Sequence, residues 1–426
     1  MKFLFVVEPL SYEWLGIMYV SSILKKFRVE VKLFVIGEDV GNILNLKPDF
    51  IGYSVLTGSH KNLLKFNREL KQKLDFISVF GGPHPTYFPE MVNEEGVDYI
   101  IRGESEEVIE TLLAKPKEKI IFGRLPQDLD NIPFPDRELI YEHLPKEKRN
   151  PIKHFITSRG CPFDCPYCYN NAGRKLYPTE RWVRFRSPEN VISEIEQVIQ
   201  QYGAKFIYFQ DDCFDLNKKW LYSFLKLYRQ KISLPFHCII RLDLLDETTA
   251  KQLKEANCMC VRCALECGND YIRNTVLKRK TSKSQIINAT KLLRKYNIKF
   301  VLQNMLGLPE GNLKVDFETL KLNIECQPTL GWASIFQPYP GTELGKLFPE
   351  ITVDRINPNF YDDSPLDIPN KKEICRLQKL FGIIVQYSFV YSFLPILLKL
   401  PLDSVYRKLW VLNNKKADKK LYGGVI

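Results

Sequence analysis

The sequence predicts an α/β protein made of two successive strand-and-helix arrays and a different C-terminal tail. Three observations carry this. Short apolar runs rich in β-branched and aromatic residues alternate with helical patterns over roughly the first 120 residues. The alternation breaks at Leu129-Asp-Asn-Ile-Pro-Phe-Pro-Asp-Arg137, where Pro133 and Pro135 forbid regular helix. It then resumes at His154 and continues to Pro338. A chain of 426 residues suits two or three domains rather than one.

In the first array the strands are Phe3–Val7, Val31–Ile36, Phe50–Ser54, Ile77–Gly81 and Tyr99–Arg102, with helical patterns such as Ile17–Phe27 and Leu63–Leu74 between them. Strands joined by crossover helices form a parallel sheet covered on both faces. Five strands fit a flavodoxin-like, doubly wound parallel sheet over residues 1–122. A ligand crevice is expected at the carboxyl ends of its strands. Residues 123–150 read as an extended linker. The second array, 151–348, offers His154–Ser158, Phe206–Gln210, His237–Arg241, Cys260–Leu265, Phe300–Leu306 and Ala333–Pro338 as strands. Six βα units are too few to close an eight-stranded barrel, so a partial one is expected. No internal repeat of solenoid period is evident.

Residues 349–426 are Pro-rich, then apolar and helical, then basic. Leu380–Leu398 holds no charged residue. As one helix it would be ~28 Å long, close to the ~30 Å bilayer core. Gln386, Ser388, Ser392 and Pro395 weaken a spanning reading. Lys371, Lys372, Arg376, Lys379, Lys399, Arg407 and Lys408 flank the stretch, and Trp410 is near. An interfacial helix, a buried helix on the barrel and a span all stay open.

The formal charge is +11, with part of the excess in Lys415-Lys416-Ala-Asp-Lys419-Lys420. A solvated basic surface accounts for it as well as a nucleic-acid face does, and an anionic membrane is a third partner of the right sign. Met1-Lys-Phe-Leu-Phe-Val-Val reads as a strand rather than a secretory signal. Eleven cysteines without such a signal imply a reducing cytoplasm, with thiols as metal ligands or core residues.

Chemistry concentrates in Arg159-Gly-Cys161-Pro-Phe-Asp-Cys165-Pro-Tyr-Cys168. Three thiolates at this spacing suit three irons of a 4Fe–4S cluster. Electron-carrying clusters usually take four cysteines, so a missing fourth ligand points to chemistry at an open iron. Zinc knuckles usually pair two Cys-x-x-Cys units, and no second pair is present. The CxxxCxxC spacing, with Tyr167 before the third cysteine, resembles the radical SAM enzymes. That resemblance implies that the open iron chelates S-adenosylmethionine and that an electron releases a 5′-deoxyadenosyl radical. It also implies the family's open six-stranded partial (β/α)6 barrel.

Further stretches resemble that family's motifs in order, over roughly residues 129–345. Phe209-Gln210-Asp211-Asp212, at the second strand end, is similar to the segment that faces the SAM amino group, and an ammonium needs acceptors. Arg241-Leu-Asp243 ends the third strand and would offer Arg241 to the SAM carboxylate. Arg262-Cys-Ala-Leu-Glu266-Cys-Gly268 resembles a Gly-Ile-Glu-Ser-Gly stretch, with Ala264 and Cys267 replacing Gly and Ser. Strand alternation puts Arg262, Ala264 and Glu266 on one face, predicting that Arg262 and Glu266 point together into the barrel, where they would bind S-adenosylmethionine or substrate. Gly307 and Leu308, in Asn304-Met-Leu-Gly-Leu-Pro-Glu310-Gly311, resemble the turn that supports the adenine. Pro338, in Gln337-Pro-Tyr-Pro-Gly-Thr342, resembles the sixth strand end. A second cysteine group, Cys258, Cys260, Cys263 and Cys267, is split between strand faces and reads as core packing.

A doubly wound domain ahead of such a barrel is similar to the cobalamin-binding subgroup of the family. The resemblance rests on Leu15-Gly-Ile-Met-Tyr19, Pro48-Asp-Phe-Ile-Gly-Tyr-Ser54, Gly81-Gly82-Pro-His84-Pro-Thr86 and Gly103-Glu104-Ser105. Glycines at strand ends let backbone approach a large ligand closely. The resemblance implies a corrinoid near Ser54, Thr57, Gly81, Gly82, His84, Gly103 and Glu104. The loop Glu8-Pro-Leu-Ser-Tyr-Glu-Trp-Leu-Gly16 contains no histidine, so no cobalt ligand is expected from it.

The resemblance implies a radical SAM enzyme of the cobalamin-dependent methyltransferase type that methylates an unactivated carbon of a small-molecule or lipid-like substrate. Cys161, Cys165 and Cys168 carry the catalytic cluster. An electron donor such as flavodoxin or ferredoxin is implied as a partner, and peripheral membrane contact through 380–398 is one option. Alternatives are radical cyclisation or rearrangement without methyl transfer, RNA modification, and a non-catalytic iron–sulfur or corrinoid binder. An RNA methylthiotransferase normally shows a second three-cysteine site in its first domain, yet residues 1–160 contain no cysteine.

Overall fold

The computed structural model describes residues 1–9, 13–356 and 361–425. They form two compact units. The first is Met1–Asn150 with Gly173–Arg186, and the second is Pro151–Ala172 with Ser187–Ile426.

The first unit holds a parallel sheet of β1 (Lys2–Val7), β2 (Glu30–Val35), β3 (Phe50–Ser54), β4 (Ile77–Gly81), β5 (Tyr99–Arg102) and β6 (Ile120–Phe122), in the order β2-β1-β3-β4-β5-β6. The five expected strands are present, and a sixth adds to the edge. β6 is three residues long and pairs with Ile100–Arg102. Ile120 and Phe122 are exposed and only Ile121 is buried, so the run is too short to show a period. The strand order reverses at β1, which sets a topological switch point between β1 and β3. Leu4, Val6, Ile51, Tyr53, Phe80 and Ile100 fill the core beneath it.

Residues 173–186 complete this unit. Tyr177 Oη donates to the Gly123 carbonyl (3.1 Å), and the Tyr177 ring stacks on Trp182. Arg184 is fully buried and donates to Glu104 Oε2 (3.0 Å) and the Pro126 carbonyl (3.0 Å).

The second unit carries β7 (Ile152–Phe155), β8 (Phe206–Phe209), β9 (Phe236–Ile240), β10 (Cys258–Glu266), β11 (Lys299–Leu306) and β12 (Leu330–Ile335). All pairs are parallel and lie in chain order, as successive right-handed βα units dictate. Ile152 of the first strand and Leu330 of the last share one apolar cluster with Phe206, Cys260 and Val301, so the sheet curls on itself. Leu421 and Tyr422 join that cluster and plug the amino end. The crossover helices start where side chains can cap them. Ser187, Asn217, Asp246, Ser282 and Asn312 each accept a backbone N–H of the first turn, and Ser282 forms a capping box with Gln285.

The stretch Leu380–Leu398 is not one helix. A helix spans Lys371–Gln386, a 3-10 turn covers Ser388–Phe393, and a short helix covers Leu394–Leu397. Its first half is core, with Leu380, Phe381, Ile384 and Val385 packed against Leu306, Leu320 and Ala333. Pro395 has no N–H to continue a helix through the second half. Among the described residues no helix is long and apolar enough to cross a membrane. A last helix, Asp403–Leu421, packs on Lys371–Gln386 through Tyr406.

Candidate active site

The cysteine loop leaves the carboxyl end of β7. Gly160 takes a left-handed conformation (φ +85°) just before it. Cys165 is buried, while Cys161 and Cys168 are partly exposed. The Cys168 N–H donates to the Cys165 carbonyl (3.1 Å), and the Asn170 N–H reaches Cys168 Sγ (3.4 Å). Burial raises the Cys161 thiol pKa, and the charges of Asp212 and Cys165 push the same way. Burial takes Cys168 up to about 12, with Asp212 and the other two sulfurs adding to the rise. Three thiolates so placed repel one another until a cation compensates them, which is what iron provides. The donor set therefore fits a cluster, and the N–H directed at sulfur suits one too. Among the described residues no three His, Cys, Asp or Glu side chains converge on a single ion.

Glu266 ends β10 in a left-handed conformation (φ +68°) that a side chain seldom adopts. The register with β11 slips there, between Ala264 and Glu266. This bulge turns the Glu266 carboxylate toward the cysteine loop, where Tyr167 Oη donates to it (3.0 Å). Burial raises the Glu266 pKa, while Arg279 and the Tyr167 hydroxyl work against the rise.

Arg279 was not singled out by the sequence. Its guanidinium is buried and donates to the Ala264 carbonyl (2.7 Å), to Tyr167 Oη (3.4 Å) and toward Cys165 Sγ (3.9 Å). It lies in Lys278-Arg279-Lys280, which reads as a solvated basic run. The structure alternates here: Leu277, Arg279 and Thr281 are buried, and Lys278 and Lys280 are exposed.

The remaining predicted residues divide. Arg241 lies over the Phe163 ring (3.6 Å to the centroid), so β9 holds the cysteine loop through a cation–π contact. Its fork is taken by Asp243, Nε to Oδ1 at 3.0 Å and Nη2 to Oδ2 at 2.9 Å. Asp211 is buried and accepts from Thr157 and Ser158, which makes it a brace for the chain ahead of the cysteines. Asp212 is exposed beside Cys161 and Cys168. Gln210 Nε2 contacts His154 Nδ1 (2.7 Å). Gly307 donates to Asp316, whose carboxyl burial pushes up to about 7. Leu308 packs in one cluster with Tyr167, and Pro338 is buried.

The expected Arg262–Glu266 pair does not form. Four residues of strand separate them by ~13 Å, and the bulge re-aims only Glu266. Arg262 sits instead with Tyr208, Tyr422 and Asp418 toward the plugged end. The second cysteine group is dispersed as expected: Cys260 lies in the plugged cluster and Cys267 in another with Ile272 and Leu277. His154, Tyr208, Arg262, Gln303 and Trp332, on five of the six strands, stay partly exposed while most of their strand neighbours are buried. His154 and His237 flank Tyr208, with ring centroids 4.8 and 4.2 Å away.

In the first unit, the ends of β3 and β4 are joined by Val55 N–H to Gly81 carbonyl (2.8 Å) and His84 N–H to Val55 carbonyl (2.9 Å). This gathers Ser54, Thr57, Gly81, Gly82 and His84. Ser54 is exposed, and a Cβ on Gly81 would meet open space. At Gly82 (φ +96°) a Cβ would press on Val55 backbone. His84 is buried, stacks on His60 (4.2 Å) and lies 3.2 Å from Thr57 Oγ1 through Nδ1. The open strand ends fit a large ligand approached by backbone. Gly103 and Glu104 differ: Tyr177 covers the first and Arg184 binds the second. Residues 10–12 of the loop after β1 lie outside the described residues.

Residues 155–320 match the radical SAM superfamily, and residues 1–113 match the B12 binding domain. An uncharacterized methyltransferase of Pyrococcus horikoshii is 28% identical over 362 residues, covering 78% of this chain and 77% of that protein. An anaerobic magnesium-protoporphyrin IX monomethyl ester cyclase of Rubrivivax gelatinosus is 25% identical over 337 residues, covering 71% of this chain and 59% of the cyclase. Among solved structures, the radical S-adenosylmethionine methyltransferase TsrM of Kitasatospora setae, with cobalamin and a [4Fe-4S] cluster bound, superposes with a TM-score of 0.65 at 15% identity, covering 82% of this chain and 78% of TsrM. The cobalamin-dependent S-adenosylmethionine radical enzyme OxsB gives 0.63 at 14% identity, covering 99% and 72%. At these identities the structures establish a shared fold.

Proposed function

We propose that this chain, which matches the radical SAM superfamily over residues 155–320 and the B12 binding domain over residues 1–113, methylates an unactivated carbon of a small-molecule or lipid-like substrate. The observation that carries this reading is the meeting of Cys165, Tyr167, Glu266 and Arg279 at the strand ends of one unit, in a chain whose other unit is a B12 binding domain. The chemistry that the bound groups supply is a carbon radical from S-adenosylmethionine and a methyl donor in cobalamin.

Cys161, Cys165 and Cys168 would hold the cluster. Glu266 would accept from the ammonium of S-adenosylmethionine. Arg279 offsets its charge and Tyr167 fixes its orientation. Arg241, through Phe163, steadies the loop. His154, Tyr208, Gln303 and Trp332 give the substrate a polar and aromatic lining, and Leu421 and Tyr422 keep water out from below. Ser54, Thr57, Gly81, Gly82 and His84 would receive the corrinoid. A flavodoxin or ferredoxin would supply the electron, and the cytoplasm is the compartment that suits a chain of free thiols.

Radical cyclisation is kept as a second reading because the Rubrivivax relative bears that activity in its name. The test uses anaerobically reconstituted full-length protein and S-adenosylmethionine with a deuterated methyl group. Lipid and small-molecule extracts are then analysed by mass spectrometry. A labelled methyl in the product supports transfer. An unlabelled product that has lost hydrogen favours cyclisation, and failure to form 5′-deoxyadenosine refutes both.

A further inference from the structure

Beyond Gln386 the chain stays apolar but becomes exposed. Of the seventeen large apolar side chains exposed among the described residues, ten lie between 387 and 412, so they form a patch rather than the usual scatter. Phe389 is 71% exposed and Ile396 62%, with Phe393 between them. The helix Asp403–Leu421 buries Tyr406, Asn413, Ala417 and Leu421 on one side. On the other side Val405, Leu409 and Leu412 recur at spacings of four and three, exposed. Tyr406 Oη donates to the Leu397 carbonyl (2.8 Å), and Lys416 Nζ donates to Tyr387 Oη (2.9 Å), tying the two stretches together.

The charge around this face is mostly positive, although Arg407 is paired with Asp362. Residues 387–420 contain seven basic and two acidic residues. One of the acids, Asp403, is held by Arg376. Lys408 and Lys415 border the apolar stripe, where long stems lie along apolar surface while the ammonium reaches outward. A second copy of this chain would bring the same positive charge. An anionic bilayer surface supplies both apolar depth and negative charge. We propose that residues 387–397 and the outward side of Asp403–Leu421 dock on an anionic lipid surface, lying in the interface rather than crossing it. The proposal rests on this face alone and not on the methyl-transfer reading.

The test is co-sedimentation of the full-length chain with phosphatidylcholine vesicles containing one-quarter phosphatidylserine, and with pure phosphatidylcholine. Binding is expected to the anionic vesicles, and to weaken between about 0.1 and 1 M salt as the screening length falls from about 10 to 3 Å. Lys399→Gln/Lys408→Gln/Lys415→Gln removes three exposed cations and is expected to weaken binding roughly a hundredfold, each contributing about fivefold. Phe389→Ser/Phe393→Ser/Ile396→Ser is expected to abolish binding while leaving thermal melting and 5′-deoxyadenosine formation unchanged. Wild type that ignores anionic vesicles overturns the proposal. So does an apolar variant that binds as wild type. A dimer seen by light scattering and lost in the same apolar variant would assign the face to a second copy instead.

Discussion

Replacing Arg279 by Met tests the heart of the site. The guanidinium is buried and bonds to the Ala264 carbonyl, to Tyr167 and toward Cys165 while facing Glu266. Removing one partner of a buried pair and leaving the other charged costs roughly 3–5 kcal/mol. Glu266 escapes by taking up a proton, because burial already raises its pKa and Arg279 is the main charge opposing that. A protonated Glu266 no longer accepts well from an ammonium, a loss of about 1.5–3 kcal/mol, or roughly ten- to hundredfold in S-adenosylmethionine affinity near neutral pH. The sign follows: affinity in Arg279→Met should rise with pH as Glu266 ionises, a dependence much weaker in wild type. Arg279→Lys restores the charge without the planar fork and should recover only part. Calorimetric titration of S-adenosylmethionine into cluster-loaded protein across pH 6–9 measures this, with iron content as the control. Unchanged affinity and a flat pH profile in Arg279→Met would refute the reasoning.

Alanine at Cys161, Cys165 and Cys168 together should remove the cluster, about four irons per chain by cubane stoichiometry, together with S-adenosylmethionine cleavage. A full cluster signal in that variant would place the metal elsewhere. Asp316, raised to about 7 by burial, should make the protein most stable below the unfolded carboxyl pKa and less so as pH rises through 7. The slope approaches ~1.4 kcal/mol per pH unit at most. Asp316→Asn keeps an acceptor for the Gly307 N–H and should flatten the melting temperature between pH 5 and 8. Gly103→Ala would drive a methyl into Tyr177 at a left-handed backbone position, destabilising by roughly 1–3 kcal/mol in chemical denaturation. Full-length protein loaded with cobalamin and reduced to cobalt(II) should show no superhyperfine splitting from a protein nitrogen. Splitting that His84→Ala removes would make that histidine a ligand.

Long periodic segments were legible because each carries its own signal. Strands such as Phe50–Ser54 and Ile77–Gly81 have the bounds the apolar runs gave, and the capped crossover helices announce themselves by Ser, Asn and Asp. The cysteine loop was legible from spacing alone. What stayed hidden depends on contacts distant in sequence. β6 has one buried residue and no period. Leu380–Leu398 has uniform hydropathy, yet its first half is core and its second half faces outward. The Arg262–Glu266 pair followed from strict alternation, which a bulge at Glu266 undoes. Arg279 carries no distinguishing signal because its neighbours are lysines. Its burial depends on Glu266 and Tyr167, which a linear reading does not bring near.

The first unit draws residues 173–186 from beyond the cysteine loop. Its assembly therefore cannot finish on the ribosome until Cys161, Cys165 and Cys168 have themselves been synthesised. A fragment ending at Asn150 leaves Gly103 bare and deprives Glu104 of its guanidinium. Cutting the gene once between the two units yields no intact half. Transplanting the B12 binding unit into another protein requires two splice points, with Cys161, Cys165 and Cys168 travelling between them. Duplication or exchange of the whole first unit would face the same requirement, because residues 151–172 lie between its two pieces.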